Sequence, residues 1–184
     1  MMKMETRKYN IEIEGASPLL INRFRDTQLE TKIRRADVKQ AELADKLYLL
    51  DNGKPYVPSA YLRNAMIEAG KQIQIAGKKK STYSKVIGAT LDIVEDCIPI
   101  KPPEYVPFSI SAVNPMTRGR MMVTRPQFNK WSLAFTIIVP TDIPKDKLSQ
   151  ILAEAGQNVG IGDWRPQKKG RYGKFMVKKF ETDE

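Results

Sequence analysis

The order of strand and helix patterns along this chain predicts an α+β fold with a ferredoxin-like, split βαβ core, in which two helices cover one face of an antiparallel sheet. The patterns follow one another as strand, helix, strands, helix and strand. A length of 184 residues fits one domain, and 41% apolar residues are enough for its core. We expect a single domain over 1–184, with a polar insertion at 27–45, a basic hairpin at 114–130 and a glycine-rich basic loop at 157–174.

The first strand and a tight hairpin are predicted in the N-terminal part of the chain. Tyr9, Ile11 and Ile13 alternate with polar residues, which is the period of a half-buried strand. The insertion at 27–45 carries an apolar stripe at helical spacing among many charges, so we expect it to be polar and partly helical. An Asn-Gly pair at 52–53 predicts the hairpin turn, because this pair readily adopts positive φ.

Two amphipathic helices are predicted. Ser59 is expected to cap the first helix with its side chain, and Pro144 suits the start of the second. Gly156 is expected to end the second helix in the left-handed conformation. The positions that share one face of each helix are Leu62, Ala65, Met66, Ala69 and Ile73 in the first, and Leu148, Ile151, Leu152 and Ala155 in the second.

The remaining strands are predicted from stretches rich in β-branched and aromatic residues. These stretches are 91–95 with its continuation 97–100, 108–113 and 121–124 as the arms of a hairpin, 131–139, and 174–180.

Missing residue types restrict the chemistry. The chain has no histidine, which excludes a Ser-His-Asp or Cys-His nucleophilic site, an imidazole base and a histidine-ligated zinc. Its single cysteine, Cys97, has no partner for an intrachain disulfide and is expected to be a small buried hydrophobe. No apolar run approaches the roughly 20 residues that span a bilayer. We therefore expect a cytoplasmic protein with no membrane partner and no cofactor.

The net charge indicates a polyanionic partner. The sequence has 31 Lys and Arg against 21 Asp and Glu, which gives a formal net charge of +10. An excess of this size is typical of proteins that bind nucleic acid. Charge alone predicts neither the fold nor a preference for a base sequence.

The glycine-rich loop is the strongest candidate for contact with a polyanion. Its glycines lack a Cβ, so that backbone amides can approach an anion, while its cations suit phosphates and its rings suit stacked bases. The alternative is a solvated loop in which Trp164 and Phe175 pack on the core. The predicted nucleic-acid contacts are Gly160, Gly162, Gly170 and Gly173, the cations Arg165, Lys168, Lys169, Arg171 and Lys174, and the rings Trp164 and Tyr172.

Two further basic runs, at 71–85 and 114–130, contain no acidic residue. In a ferredoxin-like fold such loops can line one side of the sheet, and RNA-recognition domains leave one sheet face open for a polymer. The alternative is an ordinary solvated surface. The cations of these runs that we add to the predicted contacts are Lys78, Lys79, Lys80, Arg118, Arg120 and Arg125.

Two alternatives to nucleic-acid binding without catalysis stay open. The first is a metal-dependent nuclease that uses Asp92, Glu95 and Asp96, since paired carboxylates can hold magnesium for in-line attack. Asp92 and Glu95 lie three residues apart on a predicted strand, which places them on opposite faces. The second is an accessory module of a mobile element that docks on another protein complex.

A hairpin-to-helix stretch at 51–63 and the glycine-rich stretch at 160–175 carry a resemblance to a known family. In the first, a Pro-containing turn leads into a helix with a basic residue, Arg63, in its first turns. In the second, glycines and cations precede the last strand. Both resemble the RAMP superfamily (repeat-associated mysterious proteins) of CRISPR systems, especially the backbone subunits that polymerise along a guide RNA.

The resemblance implies a protein that binds single-stranded nucleic acid, RNA in preference to DNA. It also implies assembly along the strand with copies of itself or with other subunits, and no enzymatic activity. Arg63 joins the predicted contacts on this basis. Ala60 and Tyr61 depart from the family, whose members usually carry glycine and serine there. No motif carries a catalytic residue over to this chain.

Overall fold

Strands and short helices alternate in the computed structural model, which describes residues 5–23, 43–78, 80–113 and 116–183. The elements are β1 (Thr6–Gly15), β2 (Leu19–Leu20), β3 (Tyr56–Pro58), α1 (Ser59–Ala69), α2 (Tyr83–Thr90), β4 (Asp92–Ile93), β5 (Cys97–Pro99), β6 (Val106–Val113), β7 (Arg120–Phe128), β8 (Ser132–Pro140), α3 (Lys145–Glu154) and β9 (Phe175–Thr182).

The main sheet has the strand order β4-β8-β1-β9, and all its neighbours are antiparallel. β1 alternates as predicted: Tyr9, Ile11 and Ile13 are buried, and Ile11 lies opposite Phe135 of β8. α1 and α3 pack on the face of the sheet that carries these buried side chains, and together they form one continuous core. The predicted ferredoxin-like α+β fold is therefore confirmed.

Two smaller sheets flank the main one. β6 and β7 form a long antiparallel hairpin to which β2 adds, and β3 pairs with β5. The predicted hairpin arms are confirmed and extend further than expected. The prediction that 91–95 continues into 97–100 is wrong, because β4 pairs with β8 whereas β5 pairs with β3.

α1 begins without the predicted side-chain cap. Ser59 is the first helical residue, Pro58 holds the capping position, and no side chain bonds there. The Ser59 amide donates instead to the Asp96 carbonyl at 2.9 Å. The predicted core face is confirmed, since Leu62, Ala65, Met66, Ala69 and Ile73 are all buried.

α3 starts after Pro144 as predicted, and its predicted face, from Leu148 to Ala155, is buried. Gly156 does not end it. The chain continues through a π-helical turn at Ala155–Val159, and Gly160 with φ of 70° follows as the cap. Gly156 therefore lies inside the π-helical turn and is not the left-handed residue that follows the helix.

α2 was not predicted from the sequence. Its residues include β-branched side chains and Gly88, so its intrinsic helix propensity is low. Tyr83 and Ile87 are buried, and the helix packs closely against Gly70 at the end of α1. Tertiary packing, rather than local preference, forms this helix.

A turn forms at the predicted place, 52–53, although only Gly53 of the Asn-Gly pair has positive φ. Gly53 adopts φ of 76°, and the Leu50 amide donates to the Lys54 carbonyl at 2.9 Å. Most of the predicted insertion at 27–45 lies outside the described residues, although 43–45 are helical. Within the described ranges, no helix is both long and apolar enough to cross a membrane.

Candidate nucleic-acid interface

The segment around β2 fixes the glycine-rich loop at three points. The Gly173 amide donates to the Pro18 carbonyl, the Asp163 amide to the Leu20 carbonyl, and the Ala16 amide to the Lys174 carbonyl, each at 2.8 Å. The loop is therefore a folded segment whose two halves are held to the same part of the chain, so its cations project from a fixed base.

The loop glycines serve this folding rather than an anion cradle. Gly162 and Gly173 have φ of 80° and 69°. A Cβ at either position would overlap a backbone carbonyl oxygen, that of Leu20 or that of Ile161. The amides of Gly160, Gly170 and Gly173 donate to carbonyls of the chain itself. The prediction that these three amides contact phosphate is corrected, because their hydrogens are already used.

The aromatic residues of the loop pack on the outer surface of the β6–β7 hairpin. The Phe108 ring lies 5.5 Å from the Tyr172 ring and 6.4 Å from the Trp164 ring, measured between centroids. Trp164 and Tyr172 stay half-exposed. Phe175, by contrast, is buried beside Trp131. The alternative of core packing therefore holds for Phe175 but only in part for Trp164.

An ion pair joins the loop to the hairpin. Arg125 of β7 donates from Nε to Oδ2 of Asp163 at 2.8 Å, and only 14% of its side chain is exposed. Arg125 was predicted to contact nucleic acid. Its guanidinium is instead mostly covered and bound to an internal carboxylate, so its role is to position the loop.

Two other predicted arginines have partners inside the protein. Arg165 donates from Nε and Nη2 to Gln167 Oε1 and from Nη1 to the Gly162 carbonyl at 3.1 Å. Arg63 donates from Nη2 to the Gly88 carbonyl at 2.5 Å and from Nε to the Leu91 carbonyl at 3.4 Å. Arg63 therefore satisfies carbonyls at the end of α2, which gives it a structural role.

The remaining loop cations are exposed. Lys168, Lys169 and Lys174 have no carboxylate partner in the part of the chain that the structure describes, and the Arg171 guanidinium lies over the Tyr172 ring at 5.9 Å. Lys169 has φ of 60° at the end of a short 3-10 turn, Pro166–Lys168. The turn presents the cations at the outer edge of the loop.

Three of these cations, Lys168, Lys169 and Arg171, border a groove of about 420 Å³ between the loop and β6, which we call the loop–hairpin groove. Ile110 of β6 lines one side. The loop residues that line it are Trp164, Lys168, Lys169, Gly170, Arg171 and Tyr172. The sequence interpretation missed Phe108, Ile110 and Asp163, because their roles depend on contacts between segments far apart in the chain.

The far end of the β6–β7 hairpin is both basic and apolar. Arg118 and Arg120 are exposed as predicted, and Arg118 adopts φ of 55°. The large apolar side chains exposed around them are Val113 (63%), Met116 (92%), Met121 (47%) and Met122 (66%). Val113 and Met122 lie on one face of the hairpin and Met121 lies on the other, so apolar side chains are exposed on both faces of this end. Methionines on both sides of the turn at Gly119 are the sequence feature that could have indicated these exposed apolar side chains.

The basic turn before α2 does not line the groove. Lys78 and Lys80 are exposed on a turn in which the Ile75 amide donates to the Ser81 carbonyl at 2.9 Å. Lys79 lies outside the described residues. The described residues that line the groove belong to β6 and the glycine-rich loop, so Lys78 and Lys80 lie on a separate basic surface.

The open face of the main sheet differs from the one expected for an RNA-recognition domain. The β1 positions that alternate with the core are polar, among them Asn10, Glu12 and Glu14, and Glu14 pairs with Lys178 of β9 at 2.8 Å. Facing them on β8 are Ser132, Ala134 and Thr136. With carboxylates and no ring at these positions, stacking of bases on this face is not supported.

The carboxylates of the nuclease alternative do not converge. Glu95 Oε2 accepts a hydrogen bond from the Thr136 amide at 2.7 Å, and Asp92 Oδ1 accepts one from the Ile93 amide. Among the described residues, no three acidic or cysteine side chains are grouped to hold a metal ion.

The prediction that Cys97 is buried is wrong, because its side chain is exposed. Its hydrogen bond with the Tyr56 hydroxyl raises the pKa of that phenol.

Comparison with known proteins extends the fold assignment but names no family. No family model and no curated protein matches the chain. A solved structure is similar: a chain in the cryo-EM structure of the Type III-B Cmr-beta bound to cognate target RNA, with 13% sequence identity and a TM-score of 0.60. The alignment covers 98% of this chain and 61% of that one, so this chain spans about three-fifths of its length. At this identity, the likeness concerns the fold.

Proposed function

We propose that this protein binds single-stranded nucleic acid, RNA in preference to DNA, along the loop–hairpin groove. The observation that carries the proposal is the combination of exposed cations, without a carboxylate partner among the described residues, with two half-exposed rings on one folded loop. Lys168 and Lys169, which line the groove, and Lys174, which is exposed on the same loop, neutralise phosphates, while Tyr172 and Trp164 offer ring faces to bases. Arg171 also belongs to this set, whereas Arg63, Arg125 and Arg165 act within the fold.

The preference for RNA is supported by the structural neighbour, which was solved with RNA bound. A strand in the groove would lie across β6 and the loop rather than across the open sheet face. The exposed cations there bind the sugar-phosphate backbone without reading its sequence. The proposed role is therefore binding and scaffolding, without catalysis.

We also propose assembly with neighbouring copies or with other subunits. The exposed methionines and Val113 at the end of the β6–β7 hairpin supply an apolar surface that a partner can cover. Arg118 and Arg120 lie at the same end and extend the basic surface. The hairpin thus combines protein contact with additional contact to the strand.

Purification without nuclease treatment tests the proposed function directly. The protein should retain nucleic acid that is sensitive to ribonuclease and resistant to deoxyribonuclease. In titrations at equal salt, a single-stranded RNA should bind more tightly than a DNA of the same sequence. A preparation free of nucleic acid that also fails to bind either strand contradicts the proposal and favours the protein-docking alternative.

A further inference from the structure

A second cavity lies between α1 and the glycine-rich loop, and we call it the α1 cavity. Its volume is about 330 Å³, near the lower end of the roughly 300–1,000 Å³ that is typical of small-molecule sites. Ala65, Val159 and Ile161 are buried side chains that supply apolar walls. Arg165 and Gln167 line it as well, and the next two residues in the chain, Lys168 and Lys169, line the loop–hairpin groove.

The α1 cavity offers hydrogen-bonding groups that no other described residue uses. The Asn64 side-chain amide has no hydrogen-bond partner in the described ranges. Neither does the backbone amide of Gly162, a buried residue. Gln167 uses its Oε1 to accept from Arg165, while its Nε2 has no acceptor there. Unused donors and acceptors beside apolar walls suit a flat, neutral heterocycle better than a purely apolar ligand.

Glu68 adds a carboxylate to the lining of the α1 cavity. Its Oε1 pairs with Lys71 at 2.6 Å. Its Oε2 has no partner within the part of the chain described. A carboxylate repels phosphate, but it accepts hydrogen bonds from amino groups, as Glu and Asp do from cytosine N4 in nucleic-acid complexes.

We propose that the α1 cavity holds one unpaired nucleobase with an exocyclic amino group, inserted from a strand bound in the adjacent groove. This proposal rests on the proposed function and adds base preference to it. Ala65, Val159 and Ile161 contact the base faces, Glu68 Oε2 accepts from the amino group, and Asn64 or the Gly162 amide satisfies the remaining ring edge. Uracil, which has no amino group, is the disfavoured base.

A binding series on RNAs with one variable base tests the proposal. A short uridine RNA is compared with the same RNA carrying a single central adenosine, cytidine or guanosine. The native protein should bind the RNAs with an amino-bearing base roughly ten-fold more tightly. Glu68→Ala should reduce this preference to less than about two-fold.

The control is Glu181→Ala, which removes the same charge from β9, where Glu181 pairs with Lys179. It should keep the preference. Asn64→Ala is a second variant, and because Asn64 is exposed, the change should not affect folding. It should also weaken the preference for an amino-bearing base. Urea unfolding of each variant shows that it is folded.

The outcomes separate this proposal from the proposed function. Equal binding of all four RNAs, or a preference that survives Glu68→Ala, overturns the α1 cavity assignment and leaves the groove intact. Absence of any RNA binding overturns both. Free cytidine or adenosine that binds without a strand, as tightly as the RNA does, shows that the ligand is a free nucleoside and contradicts insertion from a bound strand.

Discussion

Arg125 Nε donates to Asp163 Oδ2 at 2.8 Å and so connects β7 to the glycine-rich loop across 38 residues of sequence. Both side chains are mostly covered, with 14% and 26% exposed. Arg125 lies directly opposite Phe108 in the β6–β7 register, and Phe108 packs against Trp164 and Tyr172. Two segments that the sequence analysis treated as separate basic runs therefore form one surface.

Arg125→Met should loosen this surface without removing a strand contact. Loss of the charged hydrogen bond should lower the free energy of unfolding by about 1–3 kcal/mol in urea. Lys71→Met is the control, because Lys71 pairs with Glu68 in a largely exposed ion pair whose loss should cost less than about 1 kcal/mol. Equal effects of the two changes would argue against the structural role of Arg125.

Gly173→Ala should be much more disruptive than Gly53→Ala, although both glycines have positive φ, 69° and 76°. A Cβ at 53 meets open space, whereas one at 173 overlaps the Ile161 carbonyl. We expect about 1–2 kcal/mol of destabilisation at 53 from the backbone conformation alone, and more than about 3 kcal/mol at 173. Thermal or urea unfolding measures both; similar values would show that the loop is not packed as described.

Arg63→Met should act on stability and not on RNA binding. The change removes two hydrogen bonds to the carbonyls of Gly88 and Leu91, so unfolding should become about 1.5–3 kcal/mol easier. The slope of binding against salt should stay at the value of the native protein. A flatter slope with unaltered stability would instead restore Arg63 as a phosphate contact.

Tyr172→Ala should weaken RNA binding through loss of stacking. A stacked base contributes about 1–3 kcal/mol, which corresponds to roughly a five- to 150-fold loss of affinity. The salt slope should not change, since no charge is removed. Tyr105→Ala removes a ring that lies 5.7 Å from Phe128 and does not line the groove, and its affinity should remain near that of the native protein.

The parts of the fold that were predicted correctly depend on local pattern. The alternation of apolar and polar residues predicted which side chains of β1 are buried, and helical spacing predicted the buried face of α1. The Asn-Gly pair predicted the position of the turn at Gly53. The prediction that Cys97 is buried is wrong, because an apolar run is not buried throughout when it forms a strand with one core face. β5 in fact alternates, with Ile98 buried and Cys97 exposed, as a three-residue strand with one core face should.

The candidate site was predictable in its location but not in its chemistry. Glycines and cations did mark the loop before β9. The sequence did not show that Gly162 and Gly173 fit beside backbone carbonyls, or that Arg125 and Arg165 have internal partners. These properties depend on which segments meet in the folded chain, and a pattern within one segment carries no information about them.

The salt dependence of RNA binding tests the central claim most directly. Each phosphate contact on a single strand contributes about −0.7 to the slope of log K against log salt concentration. Replacing Lys168, Lys169 and Arg171 with alanine should weaken binding and make the slope shallower by roughly 2. The control replaces Lys147 of α3 and Lys178 and Lys179 of β9 with alanine, which removes the same amount of charge. This control variant should keep a slope close to that of the native protein. A slope that is the same in all three proteins would show that the glycine-rich loop does not hold the strand.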